Sequence, residues 1–132
     1  MFIALGSNIG NRDEHLASGR AAIAALNDTF IVAASDVDET EPLGSRQQEK
    51  YLNQMLAVRT QLQPAQLLDE LQRIELANGR TRGERWASRT LDLDIVAYGD
   101  VVLRTDRLTL PHPAIEARDF WVRELAQLQE QL

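Results

Sequence analysis
The chain has 132 residues, enough for one domain with a single hydrophobic core and too few for two ordinary ones. It is 44% hydrophobic and 26% charged, which excludes wholesale disorder, and its formal charge of −6 argues against the basic footprint of a broad nucleic-acid binder. Without cysteine it has neither a disulfide framework nor a thiolate metal site.

The N-terminal MFIAL reads as a short buried strand, closed by the Gly/Asn turn GSNIGN. It is apolar for only five residues and lacks a basic lead-in, so neither a signal peptide nor a membrane span is predicted, and a soluble cytoplasmic protein is expected. Asp13 is placed to cap a helix to about Leu26, with Leu16, Ala17, Ala21, Ile23, Ala24 and Leu26 on its apolar stripe. TFIVAA (29–34) is β-branched and short, a strand. Residues 36–48, with Asp36, Asp38, Glu39, Glu41, Pro42 and Gly44, predict a loop, and Tyr51 to Leu62 a strand. Pro64 opens a helix that runs through Leu67, Leu68, Leu71 and Ile74 to Ala77 and is stopped by Asn78-Gly79. After an Arg-rich loop, Thr90 to Tyr98 is a strand, Gly99-Asp100 turns into Val101–Leu103, and LPHP (110–113) precedes a last helix from Ala114 to Leu128. The order β-α-β-β-α-β with a trailing C-terminal helix predicts an α+β fold of ferredoxin-like type, an antiparallel sheet with helices on one face, in one domain spanning 1–132.

Two features concentrate chemistry. In RTLDLDI (89–95) Leu91, Leu93 and Ile95 face one way on a strand, and Asp92 and Asp94 the other, roughly 6.5–7 Å apart along the backbone. A solvated sheet face is the plain alternative for a lone D-x-D. The apolar strand and the adjacent Arg loop favour a platform for hard cations instead: Mg²⁺ takes one or two carboxylates and completes its shell with water and phosphate oxygens. Two such ions roughly 4 Å apart can clamp a transferring phosphoryl group. No GxxxxGK[ST] loop is present, so arginines and metal must hold any nucleotide phosphates.

The second feature is GRTRGERWASR (79–89), with Arg80, Arg82, Arg85 and Arg89 around Trp86. Of the 14 cations in the chain only Lys50 is a lysine; genomic bias accounts for most of that skew, and position matters more than count. Arg forks suit polyphosphate, and glycines at 79 and 83 allow closure over a substrate to exclude water. An RNA-binding module with Trp86 stacking on bases is disfavoured by the acidic chain and the absence of an aromatic RNP-type strand.

ETEPLG (39–44), YLN (51–53), QRIEL (72–76), GR-x-R (79–82), ERW (84–86), RTLDLDI (89–95), RLTLPH (107–112) and R-x-F (118–120) come in the order and spacing of one family. From GSN at 6–8 to Phe120 the chain resembles the 6-hydroxymethyl-7,8-dihydropterin pyrophosphokinases of folate biosynthesis. The resemblance implies ATP as co-substrate, two Mg²⁺ ions, and transfer of the β,γ-pyrophosphate to the pterin hydroxymethyl group with release of AMP. It also implies small-molecule partners only, neither nucleic acid nor membrane, and a monomer. It implies Asp92 and Asp94 as metal ligands, and Arg80, Arg82 and Arg89 as phosphate contacts in catalysis. Gln72, Glu75, Trp86, Ile95, Arg107, Thr109, His112 and Arg118 fall on the ATP side. Thr40, Leu43, Tyr51, Asn53, Trp86 and Phe120 fall in the pterin pocket. A flat heteroaromatic suits a stack between Trp86 and Phe120, and Asn53 offers the donor and acceptor a pterin edge requires. Taken singly, Tyr51 and Phe120 would read as core, His112 as a turn residue and Glu75 as a polar helix position.

The chain departs from the family pattern at Asp38, where an aromatic is usual. It also has an Arg loop one residue shorter, Trp121-Val122-Arg123-Glu124-Leu125 after Phe120, and an end before the usual C-terminal extension. A non-catalytic pterin- or nucleotide-binding paralogue is therefore the alternative to the enzyme.

Overall fold
The computed structural model describes residues 1–41, 50–79 and 90–132. The described residues form an α+β fold: β1 (Phe2–Ser7), α1 (Arg12–Ala24), β2 (Thr29–Ala34), β3 (Asp38–Thr40), β4 (Tyr51–Thr60), α2 (Pro64–Ala77), β5 (Asp92–Ala97), β6 (Leu103–Arg104), β7 (Thr109–Leu110) and α3 (Asp119–Gln131). The main sheet is antiparallel, in the order β2-β4-β1-β5, with β3 adding to β4; β6 and β7 form a separate two-stranded ribbon.

The sheet is covered on both faces. Ile3, Leu5, Leu56, Val58, Leu93 and Ile95 point into the larger core with Leu16 and Ile23 of α1 and Leu67, Leu71 and Ile74 of α2. The alternate residues Ala4, Met55, Ala57 and Val96 meet Trp121 and Leu128 of α3. A strand buried on both sides must be apolar throughout, which is why MFIAL does not alternate. Gly19 brings α1 close to the sheet: a Cβ there would stand 3.2 Å from Leu91 Cδ2 and 3.3 Å from Leu5 Cδ2.

Several expectations need correction. α1 and α2 lie on one face of the sheet, and the trailing helix α3, for which the sequence predicted no face, packs on the other, where its stripe Trp121–Leu128 meets the small residues Ala4 and Ala57. The cap of α1 is Asn11, whose side chain accepts the Glu14 N–H at 3.2 Å; Asp13 lies within the first turn. The last helix begins at Asp119 rather than Ala114, because Arg118 has extended backbone (φ −112°, ψ 93°) and residues 114–117 form turns. Within the expected loop 36–48, residues 38–40 form β3 on the edge of β4. β5 is shorter than Thr90–Tyr98. The strand expected at Val101–Leu103 is Leu103–Arg104, paired to Thr109–Leu110. TFIVAA and the helix from Pro64 to Ala77 match at both ends.

Candidate active site
Strand register gathers the polar residues of the α3-covered face at one end of the sheet. Asp38 pairs with Asn53, Asn53 with Gly6, and Gly6 with Asp92. This single row crosses β3, β4, β1 and β5. The next row is Met55–Ala4–Asp94, and Thr40 pairs with Tyr51 one step further out. Cross-strand partners project to the same face, so Asn53 and Asp92 flank a gap two strand spacings wide, about 9.5 Å. Gly6 is the floor of that gap. A Cβ there would stand 3.3 Å from Asn53 Oδ1 and 3.6 Å from Tyr51 Cδ1. Asn53 is buried, and its Nδ2 donates to Thr40 Oγ1 at 2.5 Å, leaving its Oδ1 toward Gly6.

The carboxylate strand is pinned from behind. Glu75 of α2 is 7% exposed, and its Oε2 accepts the Leu93 N–H at 2.8 Å. Leu93 is the residue between the two aspartates, so this bond fixes the segment that aims both of them. The expected alternation holds: Leu93 and Ile95 are core, Asp92 and Asp94 half-buried on the opposite face.

Around Asp94 the loop after β7 and the start of α3 supply two cations or donors. His112 Nε2 lies 3.8 Å from Asp94 Oδ1, and Arg118 Nη1 3.9 Å from Oδ2. The Ala114 N–H donates to His112 Nδ1 at 3.0 Å, which leaves the neutral ring's proton on Nε2, facing Asp94. Burial, and then the Arg118 charge, push the His112 pKa below its ordinary value, so the ring is a neutral donor near pH 7. Both side chains rest on Trp121. The His112 ring meets it edge-on at 4.9 Å, and the Arg118 guanidinium lies 4.4 Å from its centroid. Phe120 stands beside it, half-buried, at 6.4 Å.

Further out, Arg107 Nη2 donates to Asp69 Oδ1 at 2.7 Å and to Gln72 Oε1 at 3.2 Å, bringing two of the ATP-side candidates together. Thr109 lies in the β6–β7 ribbon. Ile95 is 2% exposed in the larger core, so only its backbone is available to a ligand. Leu43, Arg80, Arg82, Trp86 and Arg89 lie outside the described residues.

The donor set suits a hydrated Mg²⁺ rather than a protein cage. Among the described residues no three His, Cys, Asp or Glu side chains cluster as a metal site, and the two same-face aspartates are the number Mg²⁺ needs when phosphates and water complete its shell. Sequence reasoning missed Gly6 as the floor of the row, although GSN after an apolar strand was the available signal. It also missed Trp121 beneath His112 and Arg118, which only the packing of α3 reveals.

Residues 2–130 match the family model of 7,8-dihydro-6-hydroxymethylpterin-pyrophosphokinase. The chain is 42% identical over 131 residues to the 2-amino-4-hydroxy-6-hydroxymethyldihydropteridine pyrophosphokinase of Haemophilus influenzae, covering 99% of this chain and 82% of the relative. It is 41% identical over 132 residues to the enzyme of that name from Pseudomonas aeruginosa (100% and 82%) and 39% identical over 134 residues to that from Bacillus subtilis (99% and 78%). Among the described residues no helix is long and apolar enough to cross a membrane.

Proposed function
The chain belongs to the 7,8-dihydro-6-hydroxymethylpterin-pyrophosphokinase family, and on that footing we propose that it transfers the pyrophosphoryl group of ATP to the hydroxymethyl group of 6-hydroxymethyl-7,8-dihydropterin, releasing AMP. The observation that carries the assignment of roles is the register row: the pterin-side Asn53 and the aspartate Asp92 face each other across Gly6. The pterin lies over Gly6, its amide edge read by Asn53 and the neighbouring backbone, with Thr40 holding the Asn53 amide in one orientation. Phe120 closes one side, and the family resemblance gives Trp86 the role of its stacking partner. ATP extends from the aspartates toward the β6–β7 ribbon, where Arg107 and Gln72 meet and where Thr109 lies.

Asp92 and Asp94 hold Mg²⁺, which supplies charge neutralisation and alignment of the phosphates when bound. Arg118, kept in place by the face of Trp121, and Arg80, Arg82 and Arg89 place guanidinium charge on the phosphates. His112 is a hydrogen-bond donor through Nε2, not a base, because its other ring nitrogen accepts the Ala114 N–H. Catalysis then rests on positioning and charge stabilisation, as in phosphoryl transfer generally. The strand order β2-β4-β1-β5, with the two β-α-β units interleaved, supports the ferredoxin-like reading of the fold. Small-molecule partners, a monomer and a cytoplasmic location complete the proposal.

The test is to mix the protein with ATP, Mg²⁺ and the pterin alcohol and quantify AMP and pterin diphosphate. Equimolar products, abolished by a chelator, are expected. A folded protein that binds pterin and forms no AMP would establish the non-catalytic relative instead.

A further inference from the structure
The buried stripe of α3 contains an acid. Trp121, Glu124 and Leu128 follow at helical spacing and all face the sheet, and Glu124 is 2% exposed. Neither of its oxygens meets a donor among the described residues. Its neighbours on the helix hold the same segment: Arg123 Nη2 lies 3.8 Å from Asp38 Oδ2 and Gln127 Oε1 accepts the Asp36 N–H at 3.1 Å, which sets Glu124 beside the carboxyl group of Asp38 at the start of β3. Two ionised carboxylates have no proton to place between them, and a buried unpaired charge is costly. With Glu124 protonated, its hydroxyl donates to Asp38, which gives one of its two orphaned oxygens a partner.

We propose that Glu124 and Asp38 share one proton, and that this acid–carboxylate pair fastens α3 to β3 and so makes Glu124 a positioning residue for the pterin side of the site. The inference rests on the pterin assignment above. Asp38 is the end of the row Asp38–Asn53–Gly6–Asp92, and two residues later Thr40 accepts the Asn53 amide. A displacement of β3 therefore moves the group that orients Asn53. The charged groups acting on Glu124 are few. Asp38 faces it from β3, and Arg123, on its own helix, reaches Asp38 Oδ2 at 3.8 Å from a largely exposed position. The other contacts of that face, Ala4, Met55 and Ala57 from β1 and β4 and Ala33 from β2, are uncharged, and Gln127 binds the Asp36 N–H through its amide. Burial, then Asp38, raise the Glu124 pKa to about 8. Loss of the proton to water near that pH leaves two carboxylates against each other with one exposed arginine between them and solvent.

The experiment compares the wild-type chain with Glu124→Gln, whose amide donates to Asp38 at every pH, and with Glu124→Leu, which removes both charge and bond. Two quantities are read from about pH 5 to about pH 9.5: thermal stability, and the Kd and KM for pterin beside the KM for ATP. In the wild type the pterin constants are expected to rise roughly three- to tenfold as pH passes the Glu124 pKa, with the ATP constant level. Glu124→Gln is expected to hold the pterin constants flat, and its melting temperature is expected to fall less between about pH 5 and 8. An equal rise in Glu124→Gln, or equal rises for ATP and pterin, would overturn the positioning role. Identical stability profiles in all three proteins would overturn the shared proton. If the wild type binds no pterin at any pH, the functional reading and the positioning role both fail. The stability profiles then still decide whether the proton is shared.

Discussion

Replacing Glu75 distinguishes an anchor from a ligand contact. The family resemblance places this residue on the ATP side, whereas the fold sets its carboxylate under β5 as acceptor for the Leu93 N–H. A hydrogen bond to a charged group is worth about 1.5–3 kcal/mol and a neutral one about 0.5–1.5. Glu75→Gln keeps the shape and an acceptor, so it is expected to cost about 1 kcal/mol. Glu75→Leu removes the acceptor and leaves the Leu93 amide buried, for about 2–3 kcal/mol. In a domain of this size those losses lower Tm by roughly 3–5 °C and 6–15 °C respectively. Because Leu93 separates Asp92 from Asp94, the aspartates proposed to hold Mg²⁺, the leucine variant should also need several times more Mg²⁺ for half-maximal rate, with the KM for pterin unchanged. Thermal melts and initial rates over a Mg²⁺ series measure both. A Glu75→Leu protein as stable as wild type, with a tenfold higher KM for ATP and an unchanged Mg²⁺ requirement, would refute the anchor and make Glu75 a direct nucleotide contact.

Asp94→Asn is expected to lower turnover by roughly a thousandfold or more while the far-UV spectrum and Tm stay close to wild type; normal turnover would remove Asp94 from the metal site. Gly6→Val places side-chain atoms where Asn53 Oδ1 and Tyr51 already stand, so the KM for pterin should rise well ahead of that for ATP in steady-state kinetics. For His112, burial and then the Arg118 charge lower the pKa and favour the neutral donor. The pH profile of kcat/KM should therefore show no acid limb near 6.5, and a limb there that vanishes in His112→Asn would contradict the Nε2 donor. The folded protein keeps the Glu124 proton up to about pH 8, while the unfolded chain releases it near 4.5. The native state thus binds more protons between those values, and stability falls as pH rises across that window. Denaturant midpoints at successive pH values, against Glu124→Gln, measure the slope.

The parts of the fold that periodicity and punctuation specify were legible in the sequence. Pro64 and Asn78-Gly79 bound α2 because each acts on its own backbone, and RTLDLDI announced its two faces because strand alternation is local. What the sequence concealed depends on partners distant in the chain. Asn11 rather than Asp13 caps α1, a choice between two competent acceptors two residues apart. β3 is a strand only because β4 offers it an edge, against an acidic composition that favours a loop. The start of α3 was misplaced because Ala114 and its neighbours suit a helix, yet the turn that sets His112 against Trp121 consumes them. Gly6 and Asn53 lie 47 positions apart, and nothing short of strand register places one over the other.

The alternation of β5 has a consequence for how such a chain can change. Its core residues and its candidate site residues, Asp92 and Asp94, are neighbours in sequence and differ only in the parity of their position. Substitution can tune one set without entering the other. A one-residue insertion or deletion before Asp92 cannot, because it exchanges the two sets and sends carboxylates into the leucine core and leucines into the site. β5 is a reading frame with a period of two: single-step shifts abolish folding and chemistry together, and a two-residue shift is the smallest that restores the pattern.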